Sequence, residues 1–234
     1  MDFKEELKIL FNNYQIDLSN EQCERFEKYY NLLIDWNKKF NLTSITDKSE
    51  VILKHFLDSC VTTKMINSNS YIIDIGTGAG FPSIPLKILN PTLRLVLVDS
   101  VNKKITFLNE VIKQLNLKDT IALHERIEDL AHKESYREKF DYVVSRAVAS
   151  LNTLSEYALP FLKINGIFLA YKAFEVENEI NNSMRAITLL GGKLESVIIK
   201  NFENLNRKIV IIKKVKIISN VYPRNKNKPR TNPL

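Results

Sequence analysis

Apolar residues recur at helical spacing through the first forty positions, with Phe3, Leu7, Leu10 and Phe11 in one segment and Phe26, Tyr29, Tyr30, Leu33, Ile34 and Trp36 in the next. This periodicity predicts two amphipathic helices, and Asp17-Leu18-Ser19-Asn20-Glu21 supplies cap-type residues ahead of the second. After a polar break at 41–47, a third helix is expected over 49–65, with Ile52, Phe56, Leu57, Cys60 and Val61 toward the core. His55 and Asp58 lie three apart on it and read as a structural hydrogen-bonding pair near a cap or loop, because no second ligand-like pair accompanies them. Asn67-Ser68-Asn69-Ser70 then closes a helical segment, 1–66, and the remainder, 67–234, follows a different rhythm.

From Tyr71 onward short β-rich runs alternate with helical patterns. Strands are expected at 71–75, 93–98, 120–124, 140–147 and 167–172, and helices at 83–89, 103–117, 151–162 and 175–190, with a turn at 163–166. Such alternation predicts an α/β domain with a mostly parallel sheet and crossover helices. Two final β-rich runs, 195–201 and 208–213, are joined by the short link 202–207 and predict an antiparallel hairpin at the sheet edge. The end, 222–234, reads as irregular and basic.

The first of these strands runs into Gly76-Thr77-Gly78-Ala79-Gly80-Phe81-Pro82. Glycines reach φ > 0 and let a ligand approach the main chain, so a strand, a glycine turn and a helix in succession suit an adenosine-containing cofactor. The spacing is Gly-x-Gly-x-Gly; neither the Gly-x-Gly-x-x-Gly dinucleotide fingerprint nor a Gly-x-x-x-x-Gly-Lys phosphate loop is present, which disfavours NAD and ATP. The pattern resembles motif I of class I S-adenosylmethionine-dependent methyltransferases. Asp99 ends the second strand 23 positions after Gly76, near the roughly 20 expected for a carboxylate that accepts from a ribose diol. After the third strand, Ile127 and Glu128 stand where a loop can cover an adenine, and Arg146 ends the fourth strand on the ligand-holding side of such sheets.

Charge changes the picture at one end only. Of the net +7, residues 213–234 carry seven Lys and Arg with no acid, while 1–66 hold nine basic against eleven acidic residues. A tail of one sign suggests a polyanionic partner or a solvated end. Arg224, Lys226, Lys228 and Arg230 are its RNA-binding candidates, on the expectation that the prolines keep it extended. Removing 221–234 should then weaken RNA binding and spare cofactor affinity. Cys23 and Cys60 lie outside any Cys-x-x-Cys pair and read as buried thiols of a cytoplasmic protein, and no metal site, membrane span or export signal is expected.

Read together, Asn41-Leu42-Thr43-Ser44-Ile45, His55-Phe56-Leu57-Asp58-Ser59, Asp74 through Pro85, Ser145-Arg146-Ala147-Val148-Ala149 and Tyr222-Pro223-Arg224 resemble the RsmG (glucose-inhibited division protein B) family, nearly end to end. The resemblance implies a Rossmann-like class I methyltransferase fold, S-adenosyl-L-methionine as cofactor, and methylation of N7 of a guanine in 16S ribosomal RNA of the small ribosomal subunit, with a monomer expected. It places cofactor contacts on Gly76, Phe81, Ile127, Glu128 and Arg146; the glycine turn and Asp99 add Gly78, Gly80 and Asp99 to that set. No residue is assigned to the chemical step, and Arg146 is the candidate for orienting the reactants. Tyr171-Lys172-Ala173 replaces the family's usual Lys-Gly pair, which leaves Lys172 as a further RNA-binding candidate, and the usual glycine after Tyr-Pro-Arg is missing. A cytosine-C5 enzyme would need a cysteine nucleophile near the cofactor motifs, and an exocyclic-amine enzyme typically has an (Asp/Asn)-Pro-Pro-(Tyr/Phe) turn after the fourth strand. Neither is present. A methyltransferase for another RNA, a protein or a small molecule, and a non-catalytic RNA-binding module on the same fold, remain the alternatives.

Overall fold

Ser19 caps the second helix reciprocally: its hydroxyl accepts from the Gln22 N–H at 3.2 Å and its own N–H donates to the Gln22 side chain at 2.9 Å, satisfying two donors at the helix start. In the computed structural model, which describes residues 1–146, 148–173, 175–202 and 205–234, the leading segment contains α1 (Phe3–Asn13), α2 (Asn20–Asn37) and a third helical run that is not uniform. Here α3 (Lys48–Val51) passes into a π-helical stretch, Ile52–Leu57, then α4 (Asp58–Cys60) and a 3-10 turn at Thr63–Met65, where one continuous helix was expected. The wider π turn accommodates an extra residue relative to an α-turn and so changes which side chains face inward. His55 and Asp58 are buried alongside Ile52, Phe56 and Leu57.

The rest follows as β1 (Tyr71–Ile75), α5 (Ser83–Leu89), β2 (Arg94–Asp99), α6 (Asn102–Gln114), β3 (Thr120–His124), α7 (Ile127–Leu130), β4 (Phe140–Arg146), α8 (Leu151–Ala158), β5 (Leu162–Lys172), α9 (Glu177–Leu189), β6 (Gly192–Phe202), β7 (Leu205–Lys214) and α10 (Lys228–Thr231). Among the described residues these strands form one seven-stranded sheet in the order β3-β2-β1-β4-β5-β7-β6. The pairs among β1 to β5 are parallel, and β7 runs antiparallel to both β5 and β6. The expected edge hairpin is therefore present, and longer than its apolar runs indicated. Residues 163–166, expected as a turn, lie within β5: Asn165 takes φ 68° and the β4–β5 register shifts between Phe140 and Tyr142. An Asn-Gly pair that would close a hairpin here makes an irregularity inside a strand. Ala147 of the expected fourth strand and Glu203 and Asn204 of the hairpin link lie outside the described residues.

Side chains alternate between two buried faces. Ile72, Leu95, Leu97, Val144 and Leu169 pack with α1, α2, α5, α6 and the π-helical stretch, whereas Ile73, Val96, Val98, Val143 and Phe168 pack with α8 and α9. Burial on both sides explains why these strands read as unbroken apolar runs. The leading helices thus share a core with the sheet. Strand order reverses between β1 and β4, and at such a reversal the carboxyl ends of open sheets leave a crevice.

Candidate cofactor site

The turn after β1 is shaped by its glycines and by an acid from the next strand. Gly76 and Gly78 have φ of 69° and 62°, the left-handed region that costs an L-residue about 1–2 kcal/mol. At Gly76 a Cβ would stand 2.6 Å from Cγ2 of Val148, whereas at Gly78 it would meet nothing within 4 Å. The Gly78 N–H donates to Asp99 Oδ2 at 3.0 Å, Val101 N–H donates to Oδ1 at 2.9 Å, and Lys104 Nζ lies 3.2 Å from Oδ2. Three donors therefore hold a nearly buried carboxylate at the end of β2. From behind, Tyr29 of α2 donates to the Ala79 carbonyl at 2.5 Å. Gly80 faces the same side, because a Cβ there would stand 2.9 Å from the Tyr29 hydroxyl.

Beside this turn lies a cavity of about 350 Å³ whose lining includes Gly76, Asp99, Ile127, Glu128, Val148 and Tyr157. Its size suits a small ligand. An acceptor carboxylate, apolar Ile127 and Val148, and a second acid in the lining suit an adenosine: hydroxyl donors for Asp99, a purine face against the apolar walls, and a purine edge near Glu128. Glu128 is itself buried and accepts from Arg126 at 2.9 Å. Tyr157 has its hydroxyl pushed up to about 12, first by burial and then by Glu128, so it is a donor at neutral pH. Lys104, Val148, Tyr157, Asn227 and Arg230 line the cavity without having been expected there. Val148 lies in the Ser145–Ala149 motif; Asn227 and Arg230 arrive from the basic tail, and no local pattern marks them as cavity residues.

Gly78, Gly80, Phe81 and Arg146, candidates from the sequence, do not line the cavity. Gly78 acts on it through Asp99. Phe81 stacks on His55 with ring centroids 4.4 Å apart, and the Arg146 guanidinium lies 5.0 Å over the Phe81 ring. Arg146 is held by the protein: Nη1 donates to Asp58 Oδ2 at 2.9 Å and to the Lys54 carbonyl at 3.1 Å, and Nη2 lies 3.2 Å from His55 Nδ1. Asp58 also receives Arg207, Nε to Oδ1 at 2.8 Å and Nη2 to Oδ2 at 3.0 Å. The pair expected near a cap or loop is instead a buried cluster joining the π-helical stretch to β4 and β7. Its sequence signal was the spacing of His55 and Asp58; its partners lie about ninety and one hundred and fifty positions downstream.

Burial, reinforced by the Arg146 cation, lowers the His55 pKa from 6.5 to about 3. The neutral ring accepts from Arg146 at Nδ1, so Nε2–H donates to Thr43 Oγ1, 2.8 Å away. The unfolded ring takes a proton near 6.5 while the folded one does not until about 3. Between those values the unfolded state binds more protons, so this stabilisation is full above about pH 6.5 and is lost as pH falls. Asp74, buried and raised from 3.8 to about 7, has the opposite sign, its contribution being lost as pH rises through about 7. The variant His55→Gln isolates the first effect: urea unfolding from pH 4 to 7.5 should show the advantage of wild type shrinking toward acid. A pH-independent difference would count against the buried neutral ring.

The basic tail departs most from expectation. It folds back on the domain instead of extending: Arg224 forks onto Glu156 of α8, Nε to Oε1 at 2.9 Å and Nη2 to Oε2 at 2.8 Å, and its N–H reaches Oε1 at 2.7 Å. Arg137 donates to the Tyr222 carbonyl at 2.8 Å, and Thr153 to that of Pro229 at 2.8 Å. The prolines were expected to forbid a helix, yet Pro229 is buried in α10, where a proline in the first turn loses no needed N–H. Lys172 is likewise engaged, by Glu179 at 2.6 Å and the Ala149 carbonyl at 2.7 Å. Lys226, Lys228 and Arg230 stay exposed.

Between residues 22 and 210 the sequence matches the family profile described as GidB, rRNA small subunit methyltransferase G. The chain belongs to this family. Curated relatives called Ribosomal RNA small subunit methyltransferase G agree along nearly its whole length. One from Desulforamulus reducens is 47% identical, covering 97% of each chain, and one from Clostridium kluyveri is 44% identical over 100% of both. The Bacillus subtilis relative is 45% identical over 94% of this chain and 93% of its own. Among solved structures, M. jannaschii TYW2 in complex with AdoMet is similar with a TM-score of 0.57 at 16% identity, covering 69% of this chain and 76% of that one. A ribosomal protein L11 methylase from Lactobacillus delbrueckii gives 0.53 at 14%, over 70% and 79%. These distant likenesses establish the class I methyltransferase fold. For a member of the rRNA small subunit methyltransferase G family, the glycine turn is the first place to perturb. Gly78→Val has room for its side chain, so its cost falls on the backbone and on the N–H that orients Asp99. Affinity for an adenosyl ligand should fall at least about tenfold, about 1.4 kcal/mol, with the fold intact; unchanged affinity in a folded variant would remove Gly78 from the site.

Proposed function

We propose that this chain transfers a methyl group from S-adenosylmethionine to N7 of a guanine in 16S ribosomal RNA of the small ribosomal subunit. The observation that carries the reading is Asp99, aimed by the Gly78 N–H into a cavity at the strand-order reversal, in a chain whose family is named for this class of reaction. In this reading Asp99 accepts from the ribose diol, sharing or replacing the Lys104 ammonium, Ile127 and Val148 cover the adenine, and Glu128 meets its edge. The cofactor supplies an electrophilic methyl on a sulfonium, and guanine N7 presents a free lone pair at neutral pH, so no general base is required. The chain's task is to position the two reactants and exclude water. Arg146, His55 and Phe81 serve that task by fixing the back of the glycine turn.

Lys226 and Lys228, exposed on either side of the cavity residue Asn227, are the tail cations left for RNA phosphates. Two such contacts give a salt slope of about −1.4 in log K against log salt for a single strand. No helix among the described residues is long and apolar enough to cross a membrane, and no group of three or more His, Cys, Asp or Glu there could hold a metal ion. The test is transfer of labelled methyl to 30S particles and to naked 16S RNA from cells lacking this protein, followed by strand cleavage at N7-methylguanine. Label at one guanine is the expected result. Cofactor binding without label in either substrate would turn the reading toward another RNA, a protein or a small molecule, and absence of cofactor binding toward a non-catalytic module.

A further inference from the structure

The cavity has a wall that the glycine turn, β2 and the segment after β3 do not provide. Asn227 and Arg230, from the far end of the chain, line it together with Asp99, Ile127, Glu128 and Tyr157. They reach it because residues 222–232 form a strap pinned at several points. Arg224 is forked on the fully buried Glu156 and also donates to the Asn232 carbonyl at 2.8 Å. His132 Nε2 meets the Pro223 carbonyl at 2.8 Å, and the Pro229 carbonyl accepts from Thr153 of α8. The strap meets the cavity at Asn227 and Arg230, and Lys226 and Asn227 are both in the left-handed region, at φ 58° and 60°. Two such residues in succession, one a lysine, persist only where the surroundings over-determine the backbone.

Arg230 is held differently from its neighbour on the strap. Among the described residues no hydrogen bond or ion pair engages its guanidinium, although that of Arg224 six positions earlier is held by Glu156 and the Asn232 carbonyl. Arg230 lines the cavity together with Tyr157 and with Ile127 and Glu128, the walls that the cofactor reading gives to the adenine. A planar cation suits the face of a purine, and the Asn227 amide offers both a donor and an acceptor for a purine edge.

We propose that the C-terminal strap is part of the cofactor site, with Arg230 and Asn227 as binding residues for the adenosine half of the cofactor. The proposal rests on the cofactor reading above. It makes the last residues of the chain a condition of cofactor binding, so that whatever displaces the strap also releases the cofactor.

The experiment is calorimetric titration of the full-length protein and of Arg230→Ala, Asn227→Gly and the double variant with S-adenosylhomocysteine and with 5′-methylthioadenosine, which keeps the adenosine and lacks the amino acid. Melting temperatures of the ligand-free proteins are taken in parallel. Asn227→Gly removes the amide while tolerating the positive φ. The expected result is a loss of about five- to tenfold in affinity for both ligands in each single variant and a larger loss in the double variant, with ligand-free melting temperatures within about one or two degrees of wild type. Unchanged affinities would overturn the proposal. A loss confined to S-adenosylhomocysteine would overturn the adenosine assignment by placing Arg230 on the amino-acid half. If the wild-type protein binds neither ligand, the cofactor reading itself fails, an outcome distinct from a failure of the strap.

Discussion

Replacing Asp58 by asparagine should lower the unfolding free energy by about 3–5 kcal/mol, the cost of leaving buried charges without their counter-ion. Asp58 is fully buried and is approached by two guanidiniums, Arg146 at 2.9 Å and Arg207 at 2.8 and 3.0 Å. An asparagine keeps the volume but removes the charge and turns an N–H₂ toward groups that can only donate. The damage should extend to the cofactor site, because Arg146 lies over Phe81 and Phe81 follows the glycine turn directly. Urea unfolding and cofactor titration on one preparation would show both losses. An Asp58→Ala, Arg207→Ala double-mutant cycle should give a coupling above about 1 kcal/mol, as expected for groups in one network. A destabilisation below about 1 kcal/mol in Asp58→Asn would mean that the cluster is solvated in solution and is not a buried ion network.

The Arg224→Ala variant should lose a similar amount, about 3–5 kcal/mol, since it strands Glu156 in the interior of α8. Arg224→Lys retains the charge and loses the two-pronged geometry, so it should recover only part of the loss. Deletion of residues 221–234 should lower the melting temperature and the cofactor affinity together. The sequence alone suggested the opposite for this deletion, weaker RNA binding with cofactor affinity spared. Thermal unfolding, cofactor titration and the salt dependence of RNA binding, measured on the truncated protein, decide between the two. An unaltered melting temperature with a reduced salt slope would restore the picture of a free basic tail.

Both expectations depend on contacts across long stretches of chain. Local chemistry was legible: the cap-type residues Asp17 to Glu21 announce a helix start, period-two and period-3.6 patterns announce strands and helices, and the glycine turn with Asp99 at the next strand end announces the crevice. Those signals are short-range, because a cap, a pleat or a left-handed turn is specified by a few adjacent residues. The π-helical stretch was not legible, since the partners that His55 and the adjoining Asp58 meet on β4 and β7 lie far along the chain. The partners of Arg146 were not legible for a related reason. Its position at a strand end says which side of the sheet it occupies, and says nothing of whether a carboxylate from another helix already holds it.

By itself, the sequence determined the α/β class, the strands of the parallel sheet, the edge hairpin and the two residues, Gly76 and Asp99, around which the cavity forms. These follow from apolar periodicity and backbone conformation, which each segment carries within itself. Only the tertiary structure decided that Asp58 joins Arg146 to Arg207, that Arg224 is spent on Glu156, and that Asn227 and Arg230 line the cavity beside the glycine turn. A charged side chain can bind solvent, RNA or a buried partner with the same chemistry. Which of these it meets depends on where folding brings the partner, and a run of like charges near a chain end does not contain that information.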